Sequence, residues 1–154
     1  MNLSMIRTQL VRLSLMYFVA CLLGFAHAAS ASDVEALYKA AGDGDSTQVS
    51  ALLDSGADVN AVTGSGSYAL NNAAVENEVD IIKILLERGA NPNVQNGQGD
   101  TPLICATKYA GGKSATVKLL VEAGTDQALQ DDEGKTALDY AKAKGQQEAI
   151  ALLE

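Results

Sequence analysis

Few side chains in this sequence have the type and spacing for chemistry. Cys105 stands in Leu103-Ile104-Cys105-Ala106, on the same face as a small apolar residue. A thiol in that setting reads as a buried hydrophobe rather than a nucleophile, because only the thiolate reacts. Asp131-Asp132-Glu133 puts three carboxylates in a row. A calcium loop needs oxygen ligands that alternate around a tight turn, so this run reads as a solvated turn. Gly111-Gly112-Lys113-Ser114 has the letters of a phosphate-cradling loop but neither its spacing nor a preceding strand. Gly64-Ser65-Gly66-Ser67 is a second Gly-rich turn. The one histidine, His27, lies in an N-terminal segment that reads as removable, and without it no histidine is left for a general base or a metal site. A carboxylate-based enzyme would have to draw on acids such as Asp100, Asp131 and Asp139. Their convergence in a pocket with raised pKa values would favour catalysis, and their separation along turns would favour a binding module.

The elements that could position such groups follow from composition. The 154 residues suffice for one modest domain, with aromatics at only 5% and no Trp. A core of Ala, Leu, Val and Ile suits thin, closely packed helices. The net charge is −8, and all the acids lie after residue 31, while Arg7 and Arg12 lie before it. Such a chain repels phosphate backbones, which excludes nucleic acid as a natural partner, and it favours encounter with cationic surfaces.

Residues 1–31 have the order of a cleavable secretory signal. A basic start is followed by the 13-residue apolar run Leu13 to Phe25 and then by Ala26-His27-Ala28 and Ala29-Ser30-Ala31. The run is short for a membrane span, which needs about 20 apolar residues. Cleavage is expected after Ala28 or Ala31, leaving a periplasmic or secreted chain with no membrane attachment. A lipid-anchored form would require acylation of Cys21, in a context that fits that signal only loosely. The mature chain would retain a single cysteine, Cys105, so no intrachain disulfide can form.

From residue 32 onward the chain repeats itself. Leu37-Tyr38-Lys39-Ala40, Leu70-Asn71-Asn72-Ala73, Leu103-Ile104-Cys105-Ala106 and Leu138-Asp139-Tyr140-Ala141 share the form Leu-x-x-Ala, spaced by 33, 33 and 35 residues. The two extra residues fall in Tyr109-Ala110-Gly111-Gly112. Each unit reads as a short helix, a turn at Gly44, Asn77 or Gly145, and a second helix carrying Val49/Leu52/Leu53, Ile82/Leu85/Leu86, Val117/Leu120/Val121 or Ile150/Leu153. Gly56, Gly89 and Gly124 close the second helices, and Gly66, Gly99 and Gly134 mark the turn to the next unit. The fold class is therefore all-α, a solenoid of about four units over residues 32–65, 66–98, 99–133 and 134–154. Ser32-Asp33-Val34-Glu35 has the form of a capping box that starts the first helix. Gln146, Gln147, Glu148 and Glu154 give the last helix a polar outer face, as an end unit needs.

Gly99-Asp100-Thr101-Pro102-Leu103, Gly134-Lys135-Thr136-Ala137-Leu138 and Leu86-Glu87-Arg88-Gly89-Ala90-Asn91-Pro92-Asn93 resemble the opening and closing motifs of the ankyrin repeat. The resemblance covers residues 32–154. It departs at Tyr68-Ala69 for Thr-Pro, at Thr125-Asp126-Gln127-Ala128, and at Asn71, Ile104 and Asp139, which stand where the family has His. The resemblance implies short β-hairpin-like loops between the helical pairs, no cofactor, and a protein partner on the concave side. Position by position, that side would present Ser65, Ser67, Val75 and Glu76 from the second unit. The third would present Gln98, Asp100, Lys108 and Tyr109, and the fourth Asp132, Glu133 and Lys135. Gln95 and Gln130 occupy the preceding tip positions. Tyr109, an aromatic beside Lys108 at the mouth of the insertion, is the expected anchor.

The expected function is a non-enzymatic, exported, monomeric interaction module that binds a protein partner, basic surfaces suiting it best. The alternatives are an inhibitor or immunity-type protein that occludes another exported protein, and the carboxylate-based enzyme.

Overall fold

Apolar side chains three and four residues apart build eight short helices among the described residues of the computed structural model, which are 30–154. The leader read over residues 1–31, with Cys21 and His27, lies outside the described residues except for Ser30 and Ala31. The helices form four antiparallel pairs: α1 (Ala31–Asp43) with α2 (Ser46–Asp54), α3 (Ala69–Glu76) with α4 (Val79–Glu87), α5 (Pro102–Lys108) with α6 (Ser114–Glu122), and α7 (Ala137–Ala143) with α8 (Gln147–Leu153). The first helices of the pairs pack side by side in one row and the second helices in another.

Small residues set the row spacing. Ala40, Ala73, Ala106 and Ala141 are all buried, so the backbones of α1, α3, α5 and α7 approach closely. Leu37, Leu70 and Leu103 are buried beside them, whereas Leu138 in the end unit is half-buried. The second row contributes Val49, Ile82, Leu85, Val117, Leu120 and Leu153. Each full burial of a Leu or Ile stabilises by about 1.5–3 kcal/mol, but only when a neighbouring pair covers it, so stability is shared along the stack.

The helix starts follow local chemistry. Thr101 accepts from the Ile104 N–H at 3.1 Å with Pro102 as the first helical residue. Thr136 and Asp139 form a reciprocal capping box. Tyr68, where the motif would have Thr, supplies no side-chain cap. At α1 the expected cap is displaced by two residues. Ser30, not Ser32, is the N-cap, and Asp33 closes the box. Glu35, the acid of the expected box, instead accepts from the Gly64 N–H of the first interunit loop at 3.1 Å.

The interunit loops share one device. Thr63, Asn96 and Asp131 each close a tight turn: their backbone N–H groups donate to the carbonyls of Ser67, Asp100 and Lys135, and their side chains accept from the N–H of the same three residues. Neighbouring loops are joined by Gly97 N–H to the Gly66 carbonyl (2.9 Å) and Asp132 N–H to the Gln98 carbonyl (3.1 Å). The loops are hairpin-like in this pairing, although no strand is formed among the described residues. Gly99 lies so close to this junction that a Cβ there would stand 2.9 Å from the Asp132 backbone nitrogen.

Within the pairs, Gly44, Asn77 and Gly145 adopt the left-handed conformation expected of them. The third pair differs. Its connection runs from Tyr109 to Lys113, and Gly112 adopts φ +64° with Gln146 Oε1 where a Cβ would be. The Gln146 amide donates to the Thr107 carbonyl at 2.9 Å. Gln146 is therefore a half-buried tie to the preceding unit, while Gln147, Glu148 and Glu154 lie exposed at the end.

Candidate partner-binding face

The interunit turns and the first helices form one face, and its residues separate into two groups. Ser65 and Ser67 from the second unit's loop, Val75 at the end of α3, Gln98 from the third loop and Tyr109 after α5 line a single open groove of about 270 Å³. Tyr38, Asn71, Asn72, Asn96 and Cys105 complete its wall and floor. Glu76 borders an adjoining hollow shared with Tyr38, Asp43 and Asn72. Tyr109 is 53% exposed, yet its hydroxyl donates to Asp100 Oδ2 at 3.1 Å. The ring is thus held in place while one side remains open to solvent.

The second group closes the junction between the third and fourth units. Lys108 Nζ donates to Asp100 Oδ1 at 3.0 Å and to Asp131 Oδ2 at 3.1 Å. The side chains of the two acids are 0% and 1% exposed, and that of Lys108 17%. Tyr140 donates its hydroxyl to Asp131 Oδ2 at 2.6 Å, and its ring centroid lies 5.0 Å from Lys108 Nζ. Glu133 stands 3.9 Å from the same ammonium and pairs with Lys135 at 2.8 Å. The Gln95 amide bridges the carbonyls of Gly99 and Gln130, at 2.8 and 2.9 Å. Asp132 adds the backbone bond to Gln98.

The candidate residues are therefore brought to one side of the molecule, but Asp100 is enclosed and Lys108 is engaged with two carboxylates. These two hold the face together more than they offer side chains to a partner. Asp131 is likewise no solvated turn residue: it is 6% exposed and closes both the turn and the ion cluster. The signal that marks it is the register Thr63-x-x-Gly66, Asn96-x-x-Gly99, Asp131-x-x-Gly134, a turn-closing side chain three residues before a glycine.

Protonation in the cluster follows from these contacts. Burial works against the charge on Lys108, but the hydrogen bonds to Asp100 and Asp131 outweigh it and hold its pKa well above the usual lysine range. Burial would raise Asp131, but the Tyr140 hydroxyl, the Lys135 and Glu133 N–H groups and Lys108 together hold it well below the usual carboxylate range. The Thr136 backbone N–H and hydroxyl lower Asp139 in the same way. Burial, seconded by the charge of Asp100, raises the Tyr109 phenol. Burial also pushes the Cys105 thiol up to about 12, which leaves it protonated and inert near neutral pH.

Repeated helical pairs joined by stacked, hairpin-like turns place a sequence in a small set of solenoid families. A family model described as ankyrin repeats (3 copies) matches residues 14–96 and 89–154. The chain belongs to the ankyrin-repeat family. No curated protein matches it. Within an ankyrin stack the groove lies on the side made by the loop tips and the first helices, where the family resemblance puts the partner. Asn71 takes the position of the family's His, and its side-chain amide donates to the Asp100 carbonyl of the next loop at 2.9 Å. The interunit bond is thus kept with a different residue. Among the described residues no cluster of His, Cys, Asp and Glu has the geometry of a metal site, and no helix is long and apolar enough to cross a membrane.

Proposed function

We propose that the chain is an exported, non-catalytic module that binds a protein partner of basic surface through the concave side of its ankyrin stack. One observation carries this reading: Tyr109 is 53% exposed while its hydroxyl is fixed by the buried Asp100. An aromatic held in its binding position loses little conformational entropy on association, and Tyr is among the residues that dominate interface energies. Catalysis by the carboxylates fits poorly. Asp131 and Asp139 have lowered rather than raised pKa values, and Asp100 is committed to Lys108 and Tyr109.

Export rests on the three-zone order of residues 1–31. Cleavage after Ala28 leaves Ser30 in place to cap α1, whereas cleavage after Ala31 removes the cap, a loss of about 1 kcal/mol. The periplasm or the extracellular space is the proposed location, and the monomer the proposed state.

Affinity capture from envelope extract tests the binding reading, with wild type, Tyr109→Ala and Lys83→Ala as baits. Lys83 lies on the second-helix row, away from the groove, and lines a separate hollow. Loss of a captured protein with Tyr109→Ala alone is expected. Loss with Lys83→Ala and retention with Tyr109→Ala would place the interface on the wrong side.

A further inference from the structure

The loop between the second and third units holds the one Asn-Gly pair in the sequence, Asn96-Gly97. Such a pair carries a reaction of its own. The main-chain nitrogen after the asparagine, once deprotonated, attacks the side-chain Cγ, and ammonia leaves. Water then opens the cyclic imide at either carbonyl. One product is aspartate; the other is isoaspartate, in which the main chain runs through the former side chain. Glycine permits the attack because no Cβ crowds its nitrogen. The other described asparagines are hindered. Ala61, Glu78 and Val94 follow Asn60, Asn77 and Asn93, Pro92 after Asn91 has no N–H to lose, and Asn71 and Asn72 lie inside α3. The fold does not itself require a glycine at 97. Its φ is not positive, and a Cβ there would stand 3.6 Å from the Ser65 carbonyl oxygen, an ordinary contact.

The stack holds both reacting groups. The Gly97 N–H, whose proton must leave, donates to the Gly66 carbonyl of the preceding loop at 2.9 Å. Asn96 Oδ1 accepts from the Gln98 and Asp100 N–H groups, each at 2.9 Å, which pins the carboxamide across the turn. Gly97 is exposed, so water reaches the pair. Attack therefore waits for release of the bond to Gly66, one of the bonds that join the second and third units. The next loop shows what each product does. Asp131 stands at the equivalent position, and its Oδ1 accepts from the Glu133 and Lys135 N–H groups at 2.9 and 3.0 Å, the same pattern. An aspartate at 96 can rebuild the turn in that way. Isoaspartate lengthens the main chain by one methylene and turns the former main-chain carbonyl into a free carboxylate. The Gly99 N–H then loses the carbonyl it donates to at 2.9 Å, and Gly97 is displaced from Gly66. Asn96 also lines the groove, where no charged side chain stands, so either product brings in a negative charge.

We propose that Asn96 is a site of spontaneous deamidation, gated by opening of the junction between the second and third units, and that the reaction places a carboxylate in the groove. The aspartate form keeps the link between the two loops, and the isoaspartate form breaks it. This holds whatever the groove binds.

The test ages the purified protein at mildly alkaline pH, folded and in urea, and follows Asn96 by peptide mass spectrometry. Hydrogen exchange of the Gly97 amide is followed in parallel by NMR. Deamidation in the fold is expected to be at least about tenfold slower than in urea. Both reactions remove the same proton, so that slowing should match the protection of the Gly97 amide to within about fivefold. A larger mismatch, equal rates with and without urea, or an earlier mass gain at another described asparagine overturns the proposal. Asn96→Thr copies Thr63, which closes the first loop without a carboxamide, and Gly97→Ala crowds the nucleophile. Asn96→Thr should abolish the mass gain at this site and Gly97→Ala should slow it at least about tenfold in urea, where folding plays no part. An unchanged rate in Gly97→Ala overturns the proposal even if Asn96→Thr perturbs the circular dichroism spectrum. Asn96→Asp, which is the aspartate form, should keep the Gly97 amide protected, and the isoaspartate form isolated from aged protein should lose that protection. Equal protection in the two forms contradicts the assigned outcome.

Discussion

Two adjacent junctions of this stack are finished in opposite ways. Between the third and fourth units the buried charges are paired: Lys108 is enclosed by Asp100, Asp131 and the Tyr140 ring, and Asp131 accepts from Tyr140 and two backbone N–H groups. Between the second and third units the lining is neutral and an aromatic ring stands open, while one buried amide oxygen lacks a partner at each junction, Asn71 Oδ1 here and Gln146 Oε1 at the next. The first junction uses its polar groups to fix the fold. The second leaves an open groove beside the Tyr109 ring. Tyr109 connects the two, since the ring belongs to the groove and the hydroxyl to the cluster.

The comparison can be broken most forcefully at Lys108. Lys108→Ala leaves Asp100 and Asp131 buried without their cation and is expected to cost about 3 kcal/mol, measured by urea denaturation. A loss below about 1 kcal/mol, the value of an exposed pair, would mean that the cluster is ornamental. Gly112→Ala comes next. It forces a left-handed alanine into the space of Gln146 Oε1 and is expected to cost about 2 kcal/mol. Gly111→Ala, at φ +77° but in open space, should cost only about 1 kcal/mol.

Acidity separates the two junctions without mutation. Asp131 is lowered in the folded state, so its contribution is complete above the unfolded value of about 3.9 and is lost as pH falls from there toward the folded value. Lys108 is raised, so its contribution is complete below about 10.4 and is lost as pH climbs through its folded value. Hydrogen exchange at acid pH should therefore open α7 and α8 before α3 and α4. The variant Lys108→Met/Asp100→Asn/Asp131→Asn should show a smaller drop in Tm between neutral and acid pH than the wild type. The smallest effect on stability is expected from Tyr109→Ala, within about 1 kcal/mol, alongside a large loss of partner binding. Cys105, on the groove floor with its thiol pushed up to about 12, should react with a disulfide reagent only as fast as the protein opens.

The architecture was legible because stacking demands repetition. Each Leu-x-x-Ala had to recur wherever two pairs meet, and the glycines and Asn77 had to stand where φ is positive. The placement of candidate side chains on one face followed from the same register. What the register did not disclose was which of them the fold itself consumes. Asp100 and Lys108 occupy ordinary surface positions in the repeat, and only the coincidence of Asp131 at the end of the same unit and Tyr140 in the next closes a cluster around them. Contacts spanning 23 and 31 or more residues have no local sequence signature, as Lys108 to Asp131 and Asn91 to Asn60 illustrate. Asn71 was legible only as a departure from the family's His. Its bond to Asp100 takes the place of the one the resemblance assigns to His, and its oxygen is left without a partner. At α1 two Ser-x-x-acid patterns overlap; Ser30 with Asp33 forms the cap, and Glu35 is engaged by Gly64, 29 residues away.

The central claim is that the face carrying the groove, and not the opposite helical row, meets the partner. A photo-crosslinking residue placed at Gln98 and, separately, at Lys83 tests it directly in cells. A discrete crosslinked protein at position 98, absent at position 83, is the expected result. A crosslink at 83 with none at 98 would contradict it.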